Sequence, residues 1–259
     1  MIVEYHRPES LENALALLAR DELLTVPLAG GSALNRASSL PLAVVDLQSL
    51  GLNTAQRRGN YLTLGAMFTL QNLLDYGQAH ASQDRDLPPA LIQAVRREAS
   101  YNLRQVATVA GTLVAANGRS PFTTAMLALD AVLTLQPGNV EIGLGDILPV
   151  RDERLRGHLI VQVKFATNAR LAYDSVARTP SDQPILCVAL AVWPSGRTRL
   201  ALGGFGRAPI LAFDGSEASG IEIAARSACS SSGDQWASSA YRQDVVGVLA
   251  LRALKQIQE

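Results

Sequence analysis

Two stretches of small residues are the places where this chain of 259 residues could do chemistry. The first, PLAGGSALN at 27–35, runs from an apolar strand into Gly30 and Gly31 and then a hydroxyl. Paired glycines let the main chain approach a ligand closely, and successive N–H groups can then form a concave nest suited to a pyrophosphate. The second, ATVAGTLVAANGRSP at 107–121, sets Gly111 between Thr108 and Thr112, with Asn117, Gly118 and Ser120 beyond. Side chains this small cannot fill a core alone, so something else is expected to lie against them. Taken singly, each stretch reads more readily as a structural turn than as a site; their joint occurrence, with the expected order of elements, is what points to a site.

Other signatures are missing. GGSAL around Ser32 lacks the second flanking glycine of a nucleophile elbow. No glycine is followed by Lys and then Ser or Thr, so there is no P-loop. GFGRAP at 204–209 starts like a dinucleotide fingerprint, but Pro209 stands where a third glycine would let a helix pack. His6, His80 and His158 are scattered, and Cys187 and Cys229 lie far apart and read as two buried thiols. We expect no metal site and no catalytic residue of the chain's own.

The elements that must position these stretches follow from periodicity. MIVEYH reads as a strand, and Ser10 can cap a helix carrying Leu11, Leu15 and Leu18 on one face and ending near Arg20. Residues 23–31 and 41–50 read as two further strands, completing a small β-α-β unit over the first 55 residues. YLTLGA at 61 is a strand candidate, 69–80 and 88–99 read as helices, TTAMLALDAVL is helical, and LTLQP and HLIVQVKF are strands. Beyond a boundary between Phe165 and Tyr173, LCVALAVWP and TRLALGGFG suggest an antiparallel sheet. PILAFDGSEASGIEIAARSA reads as connections and a helix. A final amphipathic helix spans 240–256, with Tyr241, Val245, Val248 and Leu249 on one face.

Composition narrows the function classes. Lys plus Arg and Asp plus Glu both number 23, so a polyanion binder is not expected and no nucleic-acid partner is read. Hydrophobic residues make up 48% and charged ones 18%, which is a globular balance. Asp130 interrupts the apolar run from Met126 to Leu135, and no stretch is long enough to span a bilayer. The first thirty residues show no secretory leader, so a cytoplasmic location is the expectation.

LAGGSAL together with NLRQVATVAGTLVAAN resembles the two flavin-contacting segments of the flavoprotein subunit of molybdenum hydroxylases, the xanthine dehydrogenase and carbon monoxide dehydrogenase medium-chain family. EYHRPESLENALALL, LRGHLIVQVKF, LAYDSVARTPSDQPILCVALAV, ALGGFGRAPILA and DQWASSAYRQDVVGVLALRAL are similar to further segments of that family, in the same order. The resemblance implies an α+β fold: an FAD-binding domain of the vanillyl-alcohol-oxidase (PCMH) type over 1–168, with subdomains 1–55 and 56–168. A small C-terminal α/β domain with an antiparallel sheet follows over 169–259. It further implies an oxidoreductase subunit whose cofactor is FAD. Its partners would be a large molybdopterin-binding subunit and a small 2Fe-2S subunit, in a heterotrimer that could itself dimerise. Electrons would pass from the clusters to FAD and on to NAD or another acceptor.

By the same resemblance, Ala29, Gly30, Gly31, Ser32, Ala33 and Leu34 supply main-chain donors to the pyrophosphate. Thr108, Gly111 and Thr112 lie along the phosphates and ribityl chain, and Ser120 and Leu159 border the flavin ring or adenine. The chain departs from the family in the C-terminal domain, where Asp174 and Ser175 follow Tyr173 and a Lys often found there is missing, and at three positions in or beside the second stretch. Ala110 replaces a glycine, where a methyl would crowd the phosphate if the backbone needed positive φ, and Thr112 replaces an Asn. Pro121 aligns with an Asp that can bond the flavin ring, so Pro121→Asp is expected to tighten binding. These departures keep a second reading open, an FAD-deficient paralogue serving as an assembly or scaffold subunit. A stand-alone flavoprotein is disfavoured, because neither loop holds a His, Cys or Tyr. No Cys cluster is present, so an additional iron-sulfur centre in this chain is not expected.

Overall fold

A computed structural model describes residues 1–34, 41–80 and 87–259; Asn35, the last residue of the first small stretch, lies outside them. The chain packs into two compact units, each drawn from separate stretches. One comprises Met1–Leu73, Tyr101–Ala115 and Val132–Lys164; the other comprises Leu74–Ser100, Ala116–Ala131 and Phe165–Glu259.

The first unit opens with β1 (Ile2–His6) and α1 (Leu11–Leu18). Ser10 starts α1 as expected, its hydroxyl accepting from the N–H of Asn13 at 3.2 Å. β2 (Thr25–Leu28) and β3 (Leu42–Asp46) complete a three-stranded sheet of order β1-β3-β2, parallel throughout. α1 links β1 to β2, the two strands that flank β3 in this sheet. It buries Ala14 and Leu18 against Val45, Leu47, Leu159 and Val161. The next hairpin, β4 (Ala55–Arg58) and β5 (Tyr61–Gly65), turns through Gly59 at φ 56°. AQRR carries no apolar alternation, which is why β4 is invisible in the sequence.

Next along the chain come α2 (Leu70–His80), α3 (Pro89–Glu98), α4 (Tyr101–Val106), α5 (Val109–Ala115) and α6 (Pro121–Ala128). They are followed by β6 (Val132–Gln136), β7 (Val140–Gly143), the short turns α7 (Leu144–Ile147) and α8 (Arg151–Arg154), and β8 (Leu159–Ala166). β6, β7 and β8 join the earlier hairpin in a five-stranded sheet of order β4-β5-β8-β6-β7. The run read as one helix from Thr123 to Leu133 divides in two. Asp130, at φ 56°, ends the helical part, and the apolar residues beyond it enter β6.

The second unit is built on β9 (Arg170–Val176), β10 (Leu186–Val192), β11 (Thr198–Gly203) and β12 (Ile210–Gly215), antiparallel in the order β12-β11-β10-β9. α9 (Ile221–Ala228) and α10 (Ser239–Gln258) close the chain. β10 packs between α6 and α10, which explains its unbroken apolar run. Every residue of α6 is buried. Two sequence readings change here. ILAFDG, read as a connection, is the edge strand β12, paired with β11. The buried stripe of α10 is Arg242, Val246, Leu249, Ala250, Ala253 and Ile257, whereas Tyr241 and Val248 are exposed. The expected face is rotated because a charged residue, Arg242, heads the buried one.

Cys187 and Cys229 are free, buried thiols, as expected. Burial pushes both up to about 11, so neither is an activated nucleophile. No group of His, Cys, Asp and Glu that could hold a metal occurs among the described residues, and no described helix is long and apolar enough to cross a membrane.

Candidate functional site

The first unit contains a cavity of about 910 Å³, within the range of roughly 300–1,000 Å³ usual for small-molecule sites. Residues 29–34, which follow β2, line it. So do Thr108, Ala110 and Gly111, from the start of α5, and Leu159, at the start of β8.

The two small stretches meet there. A Cβ built on Gly30 would lie 1.6 Å from the carbonyl oxygen of Val106 and 2.4 Å from its carbonyl carbon, so only glycine permits this approach. Gly31 sits at φ +70°, in the left-handed region. A Cβ on Gly111 would come within 2.8 Å of Thr108 Oγ1 and 4.0 Å of Ala29 Cβ. Among the described residues, the N–H groups of Gly30, Gly31 and Ser32 have no acceptor. The second stretch is fixed by the segment before α2. Leu70 N–H donates to Ala107 O at 2.9 Å, and Val109 N–H donates to Phe68 O at 2.8 Å. Thr108 Oγ1 then accepts from Gly111 N–H at 3.1 Å, closing the first turn of α5.

Two expected residues do not line the cavity. Thr112 spends its hydroxyl on the carbonyl of Thr108 at 2.8 Å. Ser120 belongs to the second unit, is buried, and caps α6. Its hydroxyl donates to Glu98 at 2.8 Å and accepts from Thr123 N–H at 3.1 Å. Ala110 is helical and buried and its backbone is not at positive φ, so replacing the family's glycine costs no backbone strain there. Pro121 is buried at the first position of α6, where a missing N–H costs nothing. The expected gain from Pro121→Asp is therefore withdrawn: a carboxylate there would enter a buried helix start whose next N–H, that of Phe122, already donates to Glu98 at 2.9 Å.

Burial raises the Glu98 carboxyl, while the N–H of Phe122 and the hydroxyl of Ser120 pull the other way and only partly offset it. An acid raised in the folded state contributes stability that is complete below its unfolded value and is lost as pH climbs through the folded one. Glu98→Gln should therefore match the native chain in acid and gain on it towards pH 8, read as a denaturant midpoint at the two ends. A gap that narrows with rising pH would contradict this.

The cavity has two walls that the sequence reading did not single out. One runs from Leu18 to Pro27, at the end of α1 and along β2; the other runs from Arg151 to His158. LRGH opens the LRGHLIVQVKF segment similar to the family, but no residue of that segment before Leu159 carries a role in the sequence reading. The signal available was its position directly before Leu159.

The profile of the FAD binding domain in molybdopterin dehydrogenase matches residues 1–165. The chain belongs to that family. The FAD-binding domain is accompanied by likeness along the rest of the chain. The uncharacterised protein YgfM of Escherichia coli (strain K12) is 29% identical over 255 residues, covering 96% of this chain and 94% of that protein. The glyceraldehyde dehydrogenase medium chain of Sulfolobus acidocaldarius is 26% identical over 281 residues, covering 98% and 97%. Among solved structures, carbon monoxide dehydrogenase from Hydrogenophaga pseudoflava superposes with a TM-score of 0.80 at 20% identity, covering 98% of this chain and 96% of that one. Quinoline 2-oxidoreductase from Pseudomonas putida 86 gives 0.79 at 20% identity, with the same coverage. The α+β fold is thus that of these chains.

FAD is the cofactor of this domain, and the chain is an oxidoreductase subunit of the molybdopterin-dehydrogenase type. The residues present fit the cofactor. Gly30 lets the two bends meet on the cavity wall, the N–H groups of Gly30, Gly31 and Ser32 have no acceptor among the described residues, and the cavity is large enough for a dinucleotide.

Proposed function

We propose that this chain is the electron-transfer flavoprotein subunit of a cytoplasmic molybdenum hydroxylase. It would take electrons from the iron-sulfur clusters of a small partner, while a large molybdopterin-bearing partner oxidises the organic substrate. NAD or another acceptor would receive them. The description of the Sulfolobus acidocaldarius relative as a medium chain supports a multi-subunit assembly, and two free buried thiols are in keeping with a reducing compartment. Bound FAD would supply reversible acceptance of electrons.

The observation that carries this reading is the contact of the two glycine-bearing bends on one cavity wall. In this reading residues 29–34 present main-chain donors to the diphosphate, Thr108 and Gly111 flank it, and Leu159 offers an apolar surface to the adenine. The scaffold reading loses its main support, because the replacement at Ala110 costs no backbone strain. An absorbance scan of the chain purified together with its partners tests the proposal. Bands near about 370 and 450 nm, at one flavin per chain, are expected. A colourless assembly that takes up no added FAD would overturn it in favour of the scaffold.

A further inference from the structure

The cavity walls differ in charge. Residues 29–34 and 108–115 contain no charged side chain, so the cradle offers N–H dipoles without a formal counter-charge to a diphosphate. Among the described residues, positive charge on the cavity wall comes from Arg20, Arg151 and Arg156; Asp21 and Asp152 line it too. Arg20 is held by Glu4 at 2.9 Å, and Arg151 and Asp152 have partners of their own. Arg156 makes no ion pair among the described residues.

The turn that carries Arg156 is firmly built. Leu155 N–H donates to Arg151 O at 3.0 Å, Arg156 N–H to Glu153 O at 3.3 Å, and His158 N–H to Leu155 O at 3.1 Å. Gly157 takes φ +69°, a conformation that reverses the chain there. His158 Nδ1 lies 3.0 Å from the carbonyl of Arg156. A carbonyl can only accept, so Nδ1 carries the proton and the ring clamps the peptide on the far side of Arg156. The backbone of Arg156 is thus fixed on both sides, and its guanidinium is left for an outside partner.

We propose that Arg156 is a binding residue for the dinucleotide, supplying the counter-charge that the neutral glycine cradle lacks, with Gly157 and His158 holding it in place. This rests on the cavity being the FAD site. A fixed positive charge suits phosphate oxygens, and residues 29–34 and 108–115 hold no charge that could take its place.

The test uses the full-length chain freed of flavin, as the native protein, Arg156→Gln and Arg156→Lys. Each is titrated calorimetrically with FAD and with ADP at low and high salt. Arg156 is exposed, so unliganded melting should be the same in all three. Arg156→Gln should weaken both ligands about tenfold and flatten their salt dependence, and Arg156→Lys should recover most of the affinity. Unchanged binding in Arg156→Gln, or an Arg156→Lys as weak as the Gln variant, would overturn the proposal while leaving the cofactor site standing. A native chain that binds neither ligand would overturn both.

Discussion

Gly30→Ala should abolish flavin retention. The added Cβ has nowhere to go, because its ideal position lies 1.6 Å from one backbone atom and 2.4 Å from another, and neither is the end of a flexible side chain. One of the two bends must therefore move, and the wall they share opens. We expect FAD affinity to fall by two decades or more, about 2.7 kcal/mol, and the unliganded chain to lose about 1–3 kcal/mol of stability from overpacking. Gly31→Val should act by another route. The space around Gly31 is ordinary, with the nearest atom Leu28 Cδ1 at 3.6 Å, but a β-branched residue at φ +70° is strained whatever the space. Its damage should lie in the orientation of the bend's N–H groups, with a smaller loss of stability than Gly30→Ala. Titration of the flavin-free chains with FAD, alongside denaturant midpoints, separates the two. Native flavin content in both variants would mean that the diphosphate is held elsewhere.

Arg242→Met should be the most damaging single change in the second unit. The guanidinium is fully buried. It donates to the carbonyls of Ile185 at 3.1 Å and Gly204 at 3.3 Å, to that of Ser232, and to both oxygens of Asp234 at 2.9 Å. Removing it strands several buried acceptors at once, a loss of about 3–5 kcal/mol. Burial alone would raise the Asp234 carboxyl, but the N–H of Trp236, the guanidinium and the N–H of Ala237 hold it below the usual carboxylate range. An acid lowered in the folded state adds stability at neutral pH and loses it as pH falls through the folded value. The deficit of Arg242→Met should therefore be largest near neutrality and shrink in strong acid. Melting curves across pH check this; a deficit below about 1 kcal/mol at neutral pH would contradict it.

Local signals made much of the molecule legible. Ser10 announced α1, and the apolar runs at 23–31 and 41–50 held β2 and β3. The two glycine-bearing stretches carried the family resemblance, which the match over residues 1–165 bears out. What stayed hidden was non-local. β4 has no apolar alternation to betray it, because its partner strand rather than its composition makes it a strand. The face of α10 was misjudged because Arg242 is buried by acceptors from Ile185 just before β10, Gly204 just after β11 and the Ser232–Asp234 turn, none adjacent to it in sequence. Ser120 was placed near the cofactor by the family resemblance, yet its hydroxyl is committed to Glu98, 22 residues earlier. Arg156 and His158 carried no role in the sequence reading, and it is the fold that brings them to the cavity lined by residues 29–34.

The most direct test is a crystal structure of this chain with FAD bound. The diphosphate should lie in the cavity against the N–H groups of Gly30, Gly31 and Ser32, with Thr108 and Gly111 beside it and Leu159 under the adenosine end. FAD seated away from residues 29–34, or those bends closed on each other with no diphosphate between them, would contradict the account.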